Sequence, residues 1–265
     1  MKVEKKYNQE VVNEIWSKVW QKLPKELSKK ELFGQRLFVE GYPVFNEYLP
    51  FNKSIKILDA GGETGRYGLK MALADRGREV YVVDILPESI ELVKKSINNL
   101  GISNAFAEVA NLYKLPYPDD FFDVVFCDVV IQHLDSPEKA LLELKRVLKK
   151  EGRLIVSAVN WWNFPHTFYK FIKITFYKDG YEYGYEKSYT CREFRTITKK
   201  LGLKLENLDG FYFAYSIFRW KKSHRFWSWV GRAVNRLVKI IDVFSRRFIS
   251  RHFGFEIFFV ATKVF

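Results

Sequence analysis

The spacing of apolar and polar positions changes along the chain, and the change predicts alternating strands and helices. Between residues 54 and 160, short continuous apolar runs are separated by segments in which apolar residues recur every three to four positions. The predicted strands are residues 55–60, 79–84, 105–110, 121–128 and 153–160, and the predicted helices are residues 66–77, 87–101 and 136–152. Apolar strands that alternate with helices predict an α/β fold whose parallel sheet is covered on both faces.

The N-terminal flank is predicted to be a helical cap on this α/β core. Residues 8–23 carry apolar side chains at helical spacing, and prolines at positions 24, 43 and 50 then indicate a looser stretch. We therefore assign residues 1–50 to an N-terminal helical cap and residues 51–265 to the main domain.

The C-terminal flank combines an aromatic segment, a helix and two strands. Residues 161–190 are dense in Phe, Trp and Tyr without a clear period. Residues 190–202 return to helical spacing, with Thr190 as the expected N-cap. Residues 203–218 and 253–265 are predicted to be two strands that pair antiparallel at one edge of the sheet.

The turn after the first predicted strand is rich in glycine and reads ILDAGGETGRYG at residues 57–68. Glycine lets backbone N–H groups approach a ligand closely. A dinucleotide fingerprint requires G-x-G-x-x-G, but with Gly61 as its first glycine the middle position is Glu63, whose carboxylate would repel a pyrophosphate. A phosphate-binding P-loop requires G-K-[ST], which this turn lacks. The turn therefore disfavours a dinucleotide and a nucleotide phosphate.

The same stretch resembles motif I of the class I S-adenosylmethionine-dependent methyltransferases, whose usual form is roughly L-D-x-G-x-G-x-G. It stands here as LDAGGETG at residues 58–65, with Glu63 in place of the middle glycine. The resemblance implies S-adenosyl-L-methionine as the cofactor, and a carboxylate is tolerable near its ammonium and sulfonium charges. It also implies a doubly wound, Rossmann-like α/β sheet of seven strands, mostly parallel, with one antiparallel strand near the edge.

Further segments match this family in order and spacing. Asp84 ends the second predicted strand, where a carboxylate can accept hydrogen bonds from both ribose hydroxyls. Asn111 stands where the family usually has an aspartate for the adenine amino group, and an amide oxygen can also accept from that amine. Asp128 follows the fourth strand, where it would meet the cofactor's ammonium or cap a turn. The implied cofactor site consists of Asp59, Gly61, Gly62, Glu63, Gly65, Asp84, Ile85, Asn111, Leu112, Cys127 and Asp128.

The candidate catalytic residue is His133, which lies just after the fourth predicted strand. Methyl transfer from a sulfonium mainly requires an acceptor held in line, but a hydroxyl or weakly acidic carbon acceptor also needs a general base. The alternative is a histidine that shapes the pocket or bonds to the backbone. Cys127 follows Phe126 and lacks the Pro-Cys or Thr-Cys pair of the cytosine-C5 methyltransferases, so we expect it to be a small buried residue.

The aromatic segment is expected to line the acceptor side. His166, Tyr183, Tyr185 and Glu186 are its candidate residues, and the alternative is an ordinary aromatic core beneath a loop. The sequence lacks the [DN]-P-P-[YF] tetrapeptide of exocyclic amine methylation, which argues against that nucleic-acid chemistry. No metal site is expected, because the four histidines are scattered without H-x-x-x-H or C-x-x-C spacing.

The net charge of +13 comes largely from one segment. Ten basic residues and one acid, Asp242, lie between Arg219 and His252, so that this segment alone carries 10 − 1 = +9. On a helical wheel, residues 221–250 place basic side chains opposite apolar ones, so residues 219–252 are predicted to be a basic amphipathic helical insertion. Such a helix suits an anionic membrane surface, and packing on the protein body or on a second subunit of a homodimer is the alternative. Nucleic acid is the less favoured partner.

These observations predict a methyltransferase that acts on a small-molecule or lipid-like acceptor. The alternatives are an RNA or protein methyltransferase that docks through the basic helix, and a non-catalytic cofactor-binding module at a membrane surface. Only two cysteines are present, the N-terminal stretch lacks a signal-peptide pattern, and no run approaches the ~18 apolar residues of a membrane span. We therefore expect a cytoplasmic protein with peripheral membrane association, and the abundance of Lys, Glu, Ile and Tyr hints at a thermophilic source.

Overall fold

A seven-stranded sheet forms the centre of the computed structural model, which describes residues 9–20, 24–51, 53–176, 181, 185–215, 217, 225–244 and 247–264. The strand order is β3-β2-β1-β4-β5-β7-β6. The strands are β1 (Ile55–Ala60), β2 (Arg78–Asp84), β3 (Ala105–Val109), β4 (Phe122–Cys127), β5 (Leu148–Val159), β6 (Leu203–Phe211) and β7 (Glu256–Lys263). Neighbouring strands β1 to β5 pair parallel, and β7 lies antiparallel between β5 and β6. The predicted mostly parallel sheet with one antiparallel strand near its edge is confirmed.

Helices cover both faces of this sheet, which explains why its central strands β1 and β4 are largely apolar and buried. Among the described residues the helices are α1 (Gln9–Trp20), α2 (Lys29–Phe33), α3 (Arg36–Asn46), α4 (Arg66–Ala74), α5 (Pro87–Leu100), α6 (Pro137–Val147), α7 (Phe164–Phe176), α8 (Cys191–Lys200), α9 (Arg225–Phe244) and α10 (Phe248–Phe253), together with the 3-10 helix η1 (Ile131–His133). Along β4, Val125 packs with α6 and α8, whereas Val124 and Phe126 pack with α3 and α4. This alternation buries every position of the strand except Asp123.

Two sequence predictions, one for a helix and one for a strand, were wrong at their boundaries. The helix predicted for residues 136–152 ends at Val147, and β5 begins at Leu148, which pairs with Phe122. The charged residues that follow favour a helix by propensity, but the pairing of a buried leucine in the sheet outweighs that preference. The strand predicted for residues 203–218 ends at Phe211.

The looser N-terminal region predicted from its prolines contains two helices instead, α2 and α3. Pro43 lies inside α3, where Phe38 and Phe45 are buried in the core. Burial of these rings stabilises the helix despite the missing backbone donor of proline. The aromatic segment likewise contains α7, several of whose apolar side chains face solvent. None of the described helices combines the length and the apolar character needed to cross a membrane.

Candidate functional site

The glycine-rich turn between β1 and α4 lies at the carboxyl ends of the parallel strands. The N–H groups of Gly61 and Gly62 both donate to the carbonyl of Val83, at 2.8 and 2.9 Å. Gly61 and Gly65 have φ values of +74° and +71°, a region that L side chains rarely adopt. A Cβ atom on Gly61 would lie 2.5 Å from a methyl group of Val130. The turn therefore requires glycine for both its backbone conformation and its close packing.

The Asp59 carboxylate lies beneath this turn. It is buried and accepts a hydrogen bond from the backbone N–H of Gly68 at 2.9 Å. A Cβ atom on Gly62 would approach its Oδ2 to 2.9 Å. Burial, together with the charges of neighbouring carboxylates, raises the pKa of Asp59 to about 7. The hydrogen bond from Gly68 acts in the opposite direction. Asp59 therefore supports the turn from the protein side.

Asp84 connects the turn to the end of β2. Its Oδ2 accepts from the N–H of Glu63 at 3.1 Å, and its Oδ1 accepts from the N–H of Leu86 at 3.0 Å. Glu63 has a φ of +53°, and its side chain is exposed. Burial raises the pKa of Asp84 to about 6, although these backbone donors act in the opposite direction. The exposed side chain of Ile85 follows directly, so the predicted residues of this part of the site lie together.

The end of β3 places Asn111 beside this group. The N–H of Ala110 donates to the Asp84 carbonyl at 2.9 Å, which fixes the position of the next residue. Asn111 is exposed, and its Oδ1 accepts from the N–H of Tyr113 at 2.9 Å. Leu112 is buried beneath it. One lone pair of the Asn111 amide oxygen is thus used within the chain, and the second is open to a ligand.

Asp128 and Glu256 form a carboxyl pair at the end of β4. The hydroxyl of Ser157 donates to Asp128 Oδ1 at 2.6 Å. Glu256 is the first residue of β7 and is fully buried. Burial raises the pKa of both carboxyls, and the charge of Asp128 raises that of Glu256 further. Cys127, next to Asp128, is also fully buried, which raises the pKa of its thiol.

Glu256 was missed at the sequence level. The available signal was a single acidic residue within the apolar run FGFEIFFVATKVF. An isolated acid in an otherwise buried strand is uncommon unless it has a paired partner. The partner, Asp128, is distant in the sequence and is brought close only by the antiparallel placement of β7.

His133 is held by hydrogen bonds on both ring nitrogens. Gln132 Oε1 accepts from the N–H of Val159 at 2.8 Å, so the Gln132 amide NH₂ is the group that lies 3.2 Å from His133 Nε2. His133 Nε2 is therefore an acceptor, and we assign the proton to Nδ1, which lies 2.9 Å from the carbonyl of Tyr185. Burial lowers the pKa of His133 and keeps its ring neutral at pH 7.

Glu186 joins this histidine to the aromatic segment. Its Oε1 lies 3.0 Å from His166 Nε2, and its Oε2 accepts from the Tyr181 hydroxyl at 3.1 Å. Lys170 donates to the Glu186 carbonyl and lies 3.4 Å from Oε1. Burial by itself would raise the pKa of Glu186, but the contacts with His166 and Lys170 outweigh it and lower the pKa to about 2.

The structure thus brings His133, His166 and Glu186 into one buried network. Tyr185 is exposed and contributes its backbone carbonyl to this network, and Tyr183 lies outside the described residues. Among the described residues, no cluster of His, Cys, Asp or Glu has the arrangement of a metal site.

Comparisons with known proteins support one family for this chain. Residues 58–156 match the family model described as a methyltransferase domain. The ubiquinone/menaquinone biosynthesis C-methyltransferase of Pectobacterium carotovorum is 35% identical over 103 residues, which are 38% of this chain and 41% of that protein. The sterol 4-C-methyltransferase of Caenorhabditis elegans is 32% identical over 111 residues, 42% of this chain and 33% of that protein. The aligned stretch therefore spans less than half of each relative.

A solved structure extends the likeness in fold to nearly the whole chain. Phosphoethanolamine N-methyltransferase 2 of Haemonchus contortus, in complex with S-adenosyl-L-methionine, superposes with a TM-score of 0.61 at 16% identity. The match covers 98% of this chain and 58% of that chain. This likeness shows a common fold.

Proposed function

We propose that this chain, which belongs to the class I S-adenosylmethionine-dependent methyltransferase family, transfers a methyl group from that cofactor to a small, apolar acceptor. The observation that carries the proposal is the joining of the glycine turn to the end of β2. The N–H of Glu63 donates to Asp84 at 3.1 Å, so that both elements face the same edge of the sheet. Ligands of open α/β sheets bind at this edge.

The chemistry of the site fits the cofactor. The charges of Glu63, Asp84 and Asp128 all act on Asp59 and raise its pKa, which reveals a concentration of carboxylates around the turn. A ligand that carries an ammonium and a sulfonium would relieve this mutual repulsion. A pyrophosphate would increase it.

Each side chain has a proposed role in holding the cofactor. Asp84 would accept from the ribose hydroxyls, and Asn111 would use its second lone pair for the adenine amine. Asp128 would meet the ammonium, since Ser157 already holds its carboxylate in place. Gly61 and Gly65 would let the backbone approach the methionine end. When bound, the cofactor supplies an electrophilic methyl group on its sulfonium.

His133 is the proposed base where the acceptor must lose a proton. Its lowered pKa keeps the ring neutral and therefore able to accept a proton at pH 7. Because Gln132 donates to Nε2, this amide has to turn away before the nitrogen can act. An acceptor with a free lone pair would need no base, and His133 would then only position the segment that contains Tyr185.

The apolar character of the acceptor is supported by the relatives and by the segment after β5. Two relatives are named as methyltransferases of ubiquinone/menaquinone biosynthesis and of sterols, which are apolar molecules. Trp161, Trp162 and Phe164 are at least half exposed directly after β5, at the edge where the acceptor would enter. Large exposed aromatic side chains suit the docking of an apolar molecule.

Isothermal titration with S-adenosyl-L-methionine and S-adenosylhomocysteine tests the cofactor site. We expect micromolar binding of both, and a loss of roughly 10- to 100-fold in affinity for Asp84→Asn, since a charge-assisted hydrogen bond to the ribose is removed. Glu206 is exposed on β6, so Glu206→Gln is the control and should bind as the wild type does. Absence of binding by the wild type would refute the proposed activity.

The acceptor class is tested by transfer of a radiolabelled methyl group. We expect label in the organic phase when a lipid extract is supplied with the labelled cofactor. Label in an RNA or protein fraction would instead support a methyltransferase that docks through its basic helix. Cofactor binding without label in any fraction would support a non-catalytic module.

A further inference from the structure

Helix α9 turns a face of small and polar residues toward the protein and a face of large apolar residues toward solvent. Its buried positions are Gly231, Asn235, Val238 and Asp242, which form one stripe at ~100° per residue. The opposite side carries exposed Phe226, Trp229, Leu237, Ile240 and Phe244. An amphipathic helix of a globular protein normally has the reverse arrangement.

Polar contacts hold α9 in this orientation. Asn235 Nδ2 donates to Glu40 Oε1 of α3 at 3.3 Å, and Lys239 Nζ lies 2.6 Å from Glu40 Oε2. The buried Asp242 carboxylate accepts from the N–H groups of Ile249 and Ser250 at the start of α10. These contacts use the polar stripe, whereas the large side chains of the apolar stripe are exposed to solvent.

The exposed apolar stripe of α9 continues through α10 onto α7. The Phe248 ring lies 6.4 Å from that of Phe253, which in turn stacks 6.0 Å from Phe164. From Phe164, α7 presents a second row of exposed side chains at helical spacing, which comprises Phe164, Phe168, Phe171 and Ile174. We call the apolar faces of these three helices the α7–α10–α9 surface.

Cations lie beside the apolar stripe of α9. Arg232 and Arg236 are exposed on one flank of the stripe beside Lys239, which pairs with Glu40, and the acid of this helix, Asp242, is buried and faces the protein. A large apolar face flanked by cations is complementary to an anionic lipid surface, in which apolar side chains enter the acyl boundary and cations stay at the headgroups. Nucleic acid would need the cations but would leave the apolar row without a role.

We propose that the α7–α10–α9 surface binds the interface of an anionic membrane. This inference goes beyond the proposed methyl transfer and does not depend on it. The surface also adjoins the ligand edge of the sheet, because α7 follows the end of β5 and α10 precedes Glu256 at the start of β7. A membrane-bound apolar acceptor would therefore reach the site without crossing water.

Co-sedimentation with vesicles tests the proposal. We expect the wild type, without cofactor, to bind vesicles of phosphatidylcholine and phosphatidylglycerol and to bind phosphatidylcholine alone at least about tenfold more weakly. The variant Leu237→Ser/Phe244→Ser should lose about tenfold or more in binding to the anionic vesicles, because both side chains are largely exposed in the free protein and would be buried in the lipid. Arg236→Glu should also weaken binding.

Matched variants on the other face of the sheet are the controls. Leu142 on α6 is 55% exposed, close to the 57% of Leu237, so Leu142→Ser should bind as the wild type does. Arg192→Glu on α8 should likewise have little effect. Titration of every variant with S-adenosyl-L-methionine reports separately on folding and on the proposed activity.

Four outcomes would overturn the proposal. The first is that the wild type binds neither type of vesicle. The second is that Leu142→Ser and Leu237→Ser/Phe244→Ser weaken binding to the anionic vesicles equally. The third is a wild-type dimer in light scattering that the Leu237→Ser/Phe244→Ser variant converts to a monomer, which would assign the surface to a second copy of the chain. Binding of poly(U) RNA in place of vesicles, weakened by Arg236→Glu, would assign it to nucleic acid.

Discussion

At the scale of single residues, Glu256 has the most unusual environment of the candidate site. It is fully buried, and burial together with the charge of Asp128 raises its pKa well above the ordinary value of 4.5. The folded protein therefore retains this proton at pH values where the unfolded chain has released it. By linkage, its contribution to stability is present at low pH and is lost progressively as the pH rises above 4.5.

Glu256→Gln tests this assignment, since it removes the titration and keeps a hydrogen-bond donor of similar volume. We expect the melting temperature of the variant, relative to the wild type, to be higher at pH 8 than at pH 5. Through titration of this group, the free energy of unfolding of the wild type should fall by at most ~1.4 kcal/mol per pH unit. The exposed variant Glu206→Gln should differ from the wild type in melting temperature by the same amount at both pH values. If Glu256→Gln also shows the same difference at pH 5 and pH 8, the raised pKa of Glu256 is contradicted.

At the scale of elements, Gly61 in the turn between β1 and α4 can be compared with Gly101 at the end of α5, and the comparison distinguishes backbone strain from packing. Gly61 and Gly101 both have positive φ, at +74° and +62°. A Cβ atom on Gly101 would meet nothing within 4 Å, whereas one on Gly61 would clash with Val130. A side chain at either glycine would therefore strain the backbone, but only a side chain at Gly61 would also clash with a neighbour.

We expect Gly101→Ala to lower the free energy of unfolding by about 1 kcal/mol, from backbone strain alone. Gly61→Ala should lose a further ~1–3 kcal/mol from the clash and should abolish measurable binding of S-adenosyl-L-methionine. The second change Val130→Ala should recover part of the stability. Denaturant unfolding and titration measure these effects, and equal losses for both glycine variants would rule out the packing constraint.

Elements with local signals were predictable from the sequence, and those that depend on distant partners were not. The run IKILDA matches β1 residue for residue, and Pro87 and Gly101 correctly mark the start and the end of α5. The helical wheel separated the basic and apolar sides of α9, but the side that faces the protein depends on contacts with Glu40 of α3. The partnership of Asp128 with Glu256 likewise arises only when β7 pairs beside β5.

At the scale of the whole molecule, the network around Glu186 connects parts of the chain that are distant in sequence. His166 and Lys170 reach it from α7, Tyr181 from the aromatic segment, and Gln132 from η1. Gln132 extends the network to β5 through the N–H of Val159. A single carboxylate thus ties α7 and the aromatic segment to the sheet.

Glu186→Gln should weaken this connection. Loss of the carboxylate charge leaves buried His166 and partly buried Lys170 beside a neutral amide. We expect a destabilisation of about 3 kcal/mol at pH 7 in urea unfolding. Because the pKa of Glu186 is lowered from 4.5 to about 2, its contribution is fully present above pH 4.5 and is lost as the pH falls toward 2. The difference between variant and wild type should therefore be smaller at pH 3 than at pH 7.

The exposed carboxylate of Glu91 provides the control for this comparison. It pairs with Lys95 at 3.1 Å on the surface of α5, where an ion pair contributes little, so Glu91→Gln should change stability by less than about 0.5 kcal/mol. A Glu186→Gln variant as stable as Glu91→Gln would show that the network does not join these segments. If the expected loss is found, the Glu186 network contributes to the stability of the fold, as expected of a carboxylate that joins α7 and the aromatic segment to η1 and β5.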